Sequence, residues 1–303
     1  MSFDLYFCWR RHERMNFEEL KVWAAGHQNF TRSDAQLWYE NPKTGVYFSI
    51  DFEPEAQESP ESAPQIPDGY LYTGLSFNLN YKRPSYFGFE AMPLVEQVAQ
   101  RFGLTVFDPQ ADSDEPLVAS VNSETLVRSW LKHNQRATLA LIQEPDFSNT
   151  LRMSAAASSY LWQYNTAKAD LEKKCGEEVF VPNLVPVQRK GNSRVGRVFA
   201  YTQGLPMIVP ESEWVFIVRA KSGFFRAKEK REVAVISAET FRELPAGYIR
   251  EFQWPSPAVR IIDPAFAERV GSIIFSIDHT LSRSEFDVVA TDSFVDIELP
   301  NGE

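Results

Sequence analysis

The chain has 303 residues, with 41 Asp and Glu against 31 Lys and Arg, and a formal charge of −10 at pH 7. That balance repels a polyanion, so nucleic acid is disfavoured as a ligand and a cationic partner is favoured. Four histidines, two distant cysteines (Cys8, Cys175) and 14 glycines leave little material for a metal cage, a disulfide framework or a phosphate-cradling loop.

From the N-terminus, Phe3, Leu5, Phe7 and Trp9 alternate with Asp4, Tyr6 and Cys8, the period of a half-buried strand. Arg10, Arg11 and Arg14 follow this apolar run instead of preceding it, the reverse of a secretory signal. No run reaches the ~20 apolar residues of a membrane span, so a cytoplasmic protein without membrane contact is expected. Asn16, with Glu19 three residues on, marks the start of a helix carrying Phe17, Leu20 and Trp23 and ending at Gly26. Residues 37–52 read as a hairpin turning at Asn41–Gly45, with Val46, Phe48, Ile50 and Phe52 inward.

Residues 53–69 are rich in Glu, Ser and Pro and cannot bury enough apolar area to offset chain entropy, so an acidic mobile loop is expected there. Leu75, Phe77, Leu79 and Tyr81 alternate along a further strand. The aromatic group Tyr86, Phe87 and Phe89 either caps the core or forms an exposed anchor. A helix with Pro93 near its start then runs to Gly103, and residues 104–107 form a strand. The expected fold class is α+β. Residues 1–115 form a split βαβ unit, a ferredoxin-like variant with an added strand.

Residues 116–176 are predicted to hold a helical hairpin, with helices near 123–143 and 153–174. In the first, Lys132, His133 and Asn134 fall on the polar face. Residues 177–303 are predicted to form a mostly β domain. Its strands are expected near 179–187, 195–202, 205–209, 214–220, 232–237, 259–262, 272–277, 286–290 and 293–298, with a short helix near 238–243.

No phosphate-loop, dinucleotide or nucleophile-elbow motif is present, so no catalytic residue, cofactor or metal is assigned. His12, His27, His133 and His279 include no pair with metal-ligand spacing. Asp278-His279 closes the strand expected at 272–277 and is the best acid/base candidate, although a turn histidine satisfies the same pattern. A carboxylate site near Asp108, Asp112, Asp114 and Glu115 has the right residue types but no defined spacing. Residues 219–231 run against the general charge, with six Lys and Arg around Gly223-Phe224-Phe225. They read as a basic hairpin for an acidic partner or for single-stranded nucleic acid, by charge plus stacking, or as a solvated face.

The opening Ser-Phe-Asp-Leu-Tyr-Phe and the Pro-Asn-Leu-Val-Pro-Val run at 182–187 resemble the immunity proteins encoded beside secreted bacterial toxins, particularly those paired with type VI secretion effectors. The likeness is one of character along the whole chain and transfers no residue role. It implies a cytoplasmic protein that binds and occludes a cognate toxin enzyme with a cationic active-site face, a nuclease foremost. An acidic surface would steer such an encounter. The acids placed to do so are Glu55, Glu58 and Glu61, then Asp112, Asp114 and Glu115, and near the C-terminus Asp287, Asp292 and Asp296. The alternatives are a metal- or His-dependent hydrolase around Asp108, Asp278 and His279, or an adaptor within a secretion apparatus.

Overall fold

The structure is a computed structural model of the chain and describes residues 1–9, 16–53, 64–111, 117–118, 121–144, 149–219, 232–277 and 280–296. Contacts divide it into two units, Met1–Thr150 and Leu151–Asp296. The fold is mixed α and β, and the second unit is largely β.

The first unit opens with β1 (Ser2–Trp9) and α1 (Phe17–Ala25), followed by β2 (Phe30–Arg32), β3 (Gln36–Glu40), β4 (Tyr47–Phe52) and β5 (Leu71–Asn80). Then come α2 (Tyr86–Phe102), β6 (Thr105–Phe107), β7 (Leu117–Val118) and α3 (Ser123–Leu141). All seven strands join one sheet in the order β2-β3-β4-β5-β1-β6-β7, antiparallel at every pairing. Alternation decides its faces. Phe3, Leu5 and Phe7 of β1, Leu75, Phe77 and Leu79 of β5, and Phe48 and Ile50 of β4 are all buried. Each such side chain contributes about 1.5–3 kcal/mol on leaving water. The helices pack on that face, Phe17 stacking on Phe52 at 5.1 Å and His133 on Phe3 at 6.0 Å.

Local chemistry fixes the ends of these elements. The Asn16 side chain caps α1 by accepting from Glu18 N at 3.1 Å. The β3–β4 turn closes with Gly45 in the left-handed region (φ 72°), its N–H donating to Asn41 O at 2.7 Å. Strand β2 lies outside the sequence reading because three residues carry no measurable period. It is held by Phe30, whose ring meets those of Trp23, Tyr39 and Phe48. Helix α2 begins at Tyr86, a turn before the expected start, because the buried row Phe87, Ala91, Val95 and Ala99 already has helical spacing. Tyr86 and Phe87 therefore belong to the core, and Pro93 lies inside the helix. The buried row of α3 is Leu126, Trp130, Asn134 and Thr138, one every fourth residue. This corrects the polar-face expectation for Asn134.

The second unit starts with β8 (Leu151–Arg152) and α4 (Ala155–Cys175), then β9 (Val185–Arg189), β10 (Val195–Thr202), β11 (Met207–Val209), β12 (Trp214–Arg219) and β13 (Glu232–Ser237). It continues with α5 (Ala238–Glu243), β14 (Ile249–Phe252), β15 (Val259–Ile262), α6 (Ala267–Phe275), β16 (Leu281–Ser282), β17 (Phe286–Val288) and β18 (Phe294–Val295). A six-stranded sheet has the order β16-β13-β12-β10-β9-β17, a three-stranded one β11-β15-β14, and β18 pairs with β8. Val187, Val198, Val235 and Phe286 form a core cluster on the larger sheet. The helices expected to pair within 116–176 fall in different units: α3 packs on α2, while α4 lies in the second.

One strand expected from the sequence is a helix. Residues 267–275 bury Ala267, Val270, Gly271 and Ile274, a spacing of three, one and three that only a helix brings to one face. The alternation of Ile273, Phe275 and Ile277 is incidental to it. Strand β14 escapes the sequence reading because Ile249 and Phe252 do not alternate, and it is set by pairing with β15.

Arg197 anchors this unit. It is 7% exposed and forks onto Glu213 through Nε (3.1 Å) and Nη2 (2.7 Å), with its guanidinium 5.0 Å from the Tyr160 ring. Glu213 keeps 40% of its side-chain surface in water, which moderates the cost of stranding it. Arg197→Met should destabilise this unit by about 2 kcal/mol, below the 3–5 of a fully buried pair. Urea unfolding checks this, and an unchanged midpoint would contradict it.

Candidate functional site

The face of the first sheet opposite the helices is polar and is built by register. Asp4 of β1 lies opposite Asn78 of β5, which lies opposite Ser49 of β4, which lies opposite Trp38 of β3. One step along, Phe107, Tyr6, Ser76, Asp51 and Gln36 form a second row across five strands. No lysine or arginine stands in either row.

Hydrogen bonds orient the two carboxylates. Asn78 Nδ2 donates to Asp4 Oδ1 at 2.5 Å, and Ser2 Oγ donates to the same carboxylate at 3.1 Å. Ser49 Oγ donates to Asp51 Oδ2 at 3.1 Å. Aromatic rings flank them. Tyr6 meets Tyr72 at 5.6 Å and Phe107 at 6.3 Å, and Trp38 stacks on Tyr47 at 5.5 Å. A bulge sets Tyr72 in place. Phe7 pairs with Leu75 but Cys8 with Tyr72, so Thr73 and Gly74 are extra residues on β5. Gly74 takes a left-handed φ of 72°, and Thr73 Oγ1 donates to Phe7 O at 2.8 Å.

The field on this face is negative. Burial, then the nearby charge of Asp4, raises the Asp51 carboxyl above the usual aspartate range, partly offset by the Ser49 hydrogen bond. Burial, then Asp4 and Glu53, raise the Tyr6 phenol. Ionised Asp51 is thus a cost to the folded unit. It is absent below the ordinary aspartate range and fully present once pH exceeds the raised folded value. Asp51→Asn should therefore be more stable than wild type at pH 7, the advantage vanishing below about pH 4. Urea midpoints at pH 7 and pH 3 test this, and a less stable variant at pH 7 would contradict it.

Cys8 offers no nucleophile, since burial pushes its thiol up to about 12. Among the described residues, no group of three or more His, Cys, Asp and Glu side chains is arranged to hold a metal ion. Asp108 is 2% exposed and already accepts from Gln110 N (2.9 Å) and Ser129 Oγ (2.7 Å), a structural use.

The acids singled out from the sequence are not brought together. Glu55, Glu58, Glu61, Asp112, Asp114 and Glu115 lie outside the described residues, as do Asp278, His279, most of the acidic loop and the basic run after Arg219. Asp287 is exposed on β17, 3.8 Å from Lys190. Asp292 is half-buried and accepts from Ser293. Asp296 is 4% exposed, which corrects its place among surface acids: it follows β18 into the core beside buried Phe294 and Val295. Asp4, Asp51, Tyr72 and Asn78 were not picked out as a site. Their signal was the polar half of the alternation, which becomes a surface only once strand order is known.

Two clefts lie elsewhere. One of about 530 Å³ is walled by Trp23 and Phe102 with Val22, and another of about 390 Å³ in the second unit by Arg242, Arg260, Glu211, Glu251 and Trp254. The second mixes both charges and selects no ligand class. No helix among the described residues is long and apolar enough to cross a membrane. Compared with protein-family models, with curated proteins and with solved structures, the chain matches none.

Proposed function

We propose that this chain is a cytoplasmic immunity protein of the kind paired with type VI secretion effectors, which binds a cognate toxin enzyme and occludes its active site. The observation that carries this reading is the pair of oriented carboxylates, Asp4 and Asp51, set among aromatic rings on the polar face spanning β3, β4, β5, β1 and β6. A nuclease must attract polyphosphate, so the surface around its active site is cationic. An inhibitor presenting oriented carboxylates meets that field with complementary charge, which speeds encounter and excludes substrate. The aromatic flanks supply the anchors on which interface energy concentrates. The strand order β4-β5-β1-β6, with α1 after β1 and α2 after β5, supports reading the unit as a ferredoxin-like variant.

The test is purification of the tagged chain from its native host, identification of partners by mass spectrometry, and a salt titration of any complex. A basic, toxic partner released as salt rises is the expected result. Absence of any stable protein partner would overturn the reading.

A further inference from the structure

We infer that Arg152 and Arg194, neighbours in the second unit, hold a phosphate group between their guanidinium groups. The site differs in place and in charge from the polar face of the first sheet, and it does not depend on the binder reading.

Register builds the pair. Arg152 and Arg194 form a parallel bridge, and Arg152 N donates to Ser193 O at 3.0 Å. Bridged residues lie about 4.8 Å apart and send their side chains to the same face. Two like charges are thereby set side by side, which is destabilising. The other cations of this hairpin are neutralised. Arg189 meets Glu285 at 2.9 Å, Lys190 meets Asp287 at 3.8 Å, and Arg197 meets Glu213 at 2.7 Å. Among the described residues, Arg152 and Arg194 meet no carboxylate, and neither guanidinium makes a hydrogen bond.

Two further observations point to an anion. Arg152 is half-buried, and its Nε is shut away from water without a partner. A buried donor left this way is destabilising until an acceptor reaches it. Helix α4 starts just beyond, capped by Ser154, whose Oγ accepts from Ala157 N at 3.2 Å. No acid stands in its first turn, so the positive end of a 21-residue helix lacks the carboxylate that would complement it.

Charge and oxygen count select phosphate. A carboxylate brings one charge and two oxygens, which one guanidinium fork already occupies. A phosphate group carries about −1.5 to −2 at pH 7 and three or more acceptor oxygens, enough for both forks. The formal charge of −10 repels a polyanion, so the fit is a single phosphate.

The experiment uses the full-length chain, isotope-labelled, titrated with inorganic phosphate at constant ionic strength and followed by backbone amide and arginine Nε–H resonances. Saturable shifts are expected at Arg152, Ser193, Arg194 and Ala155, with acetate at least about tenfold weaker. Arg194→Gln, at an exposed position where folding is not at risk, should weaken phosphate binding at least about tenfold, and Arg152→Gln likewise. Lys173→Gln, which removes an exposed charge from the last turn of α4, should leave binding unchanged. Capped Gly-phosphoserine-Gly separates the sources. Binding tighter than free phosphate assigns the site to a phosphorylated group, weaker binding assigns it to the free ion, and both sustain the inference. No saturable shift at these residues, acetate equal to phosphate, or wild-type affinity in Arg194→Gln would overturn it.

Discussion

Asn134→Ala is expected to destabilise the first unit by about 4 kcal/mol, the largest effect of any single side chain considered. Asn134 is fully buried on α3, and its amide serves a tight turn between β5 and α2. Oδ1 accepts from Lys82 N at 2.8 Å and Arg83 N at 3.4 Å, while Nδ2 donates to Arg83 O at 2.8 Å. Lys82 is held there at φ 59°, a conformation a lysine adopts only when something outside it compensates. Removing the amide leaves three peptide groups without their partner, at about 1–3 kcal/mol each. Partial access of water to the turn brings the sum toward the lower half of that range. A fall in melting temperature of roughly 8–16 °C follows for a unit of this size. A loss under 1 kcal/mol would show that the turn holds itself.

Gly88→Ala should cost about 2 kcal/mol for a different reason. A Cβ at position 88 would lie 2.5 Å from Cε3 of Trp130 and 3.1 Å from Cδ2 and Cζ3. Trp130 is fully buried, so the indole cannot retreat into solvent. Either the rotamer or the α2–α3 separation must give, at about 3 kcal/mol by the usual cost of overpacking. The better helix propensity of alanine returns about 1 kcal/mol, so the clash wins. Trp130→Phe should relieve it. The double variant is expected to lie at least about 1 kcal/mol above the sum of the two singles. Additivity in denaturant unfolding would contradict a direct contact.

These two positions also mark how far the sequence could be read. The alternations of β1, β4 and β5 were plain because large apolar residues recur at every second position along each strand, and the cap at Asn16 and the turn at Gly45 follow from residue type alone. Asn134 and Thr138 were not legible as core because polarity is read as exposure, yet the row that continues from Leu126 and Trp130 passes through both. Residues 272–277 misled for the opposite reason: three apolar residues alternated by chance inside a helix whose buried face is offset from them. The candidate site was half visible. Asp4 and Tyr6 were evident as the outward residues of β1, but nothing in a linear reading brings them beside Asp51 and Tyr72. That takes the pairing of β5 with both β1 and β4, and the Thr73-Gly74 bulge. Asp296 failed as a surface acid because a C-terminal position says nothing of burial.

The central claim is that a cationic partner docks at the polar face of the first sheet, on the half-buried carboxylates of Asp4 and Asp51. Calorimetric affinity for the toxin partner, measured with wild type and with Asp4→Asn/Asp51→Asn at low and high salt, tests it most directly. The expected result is a loss of at least about 30-fold on substitution, the lower bound for truncating an interfacial charge pair, together with a shallower salt dependence. An affinity unchanged by the double substitution would contradict it.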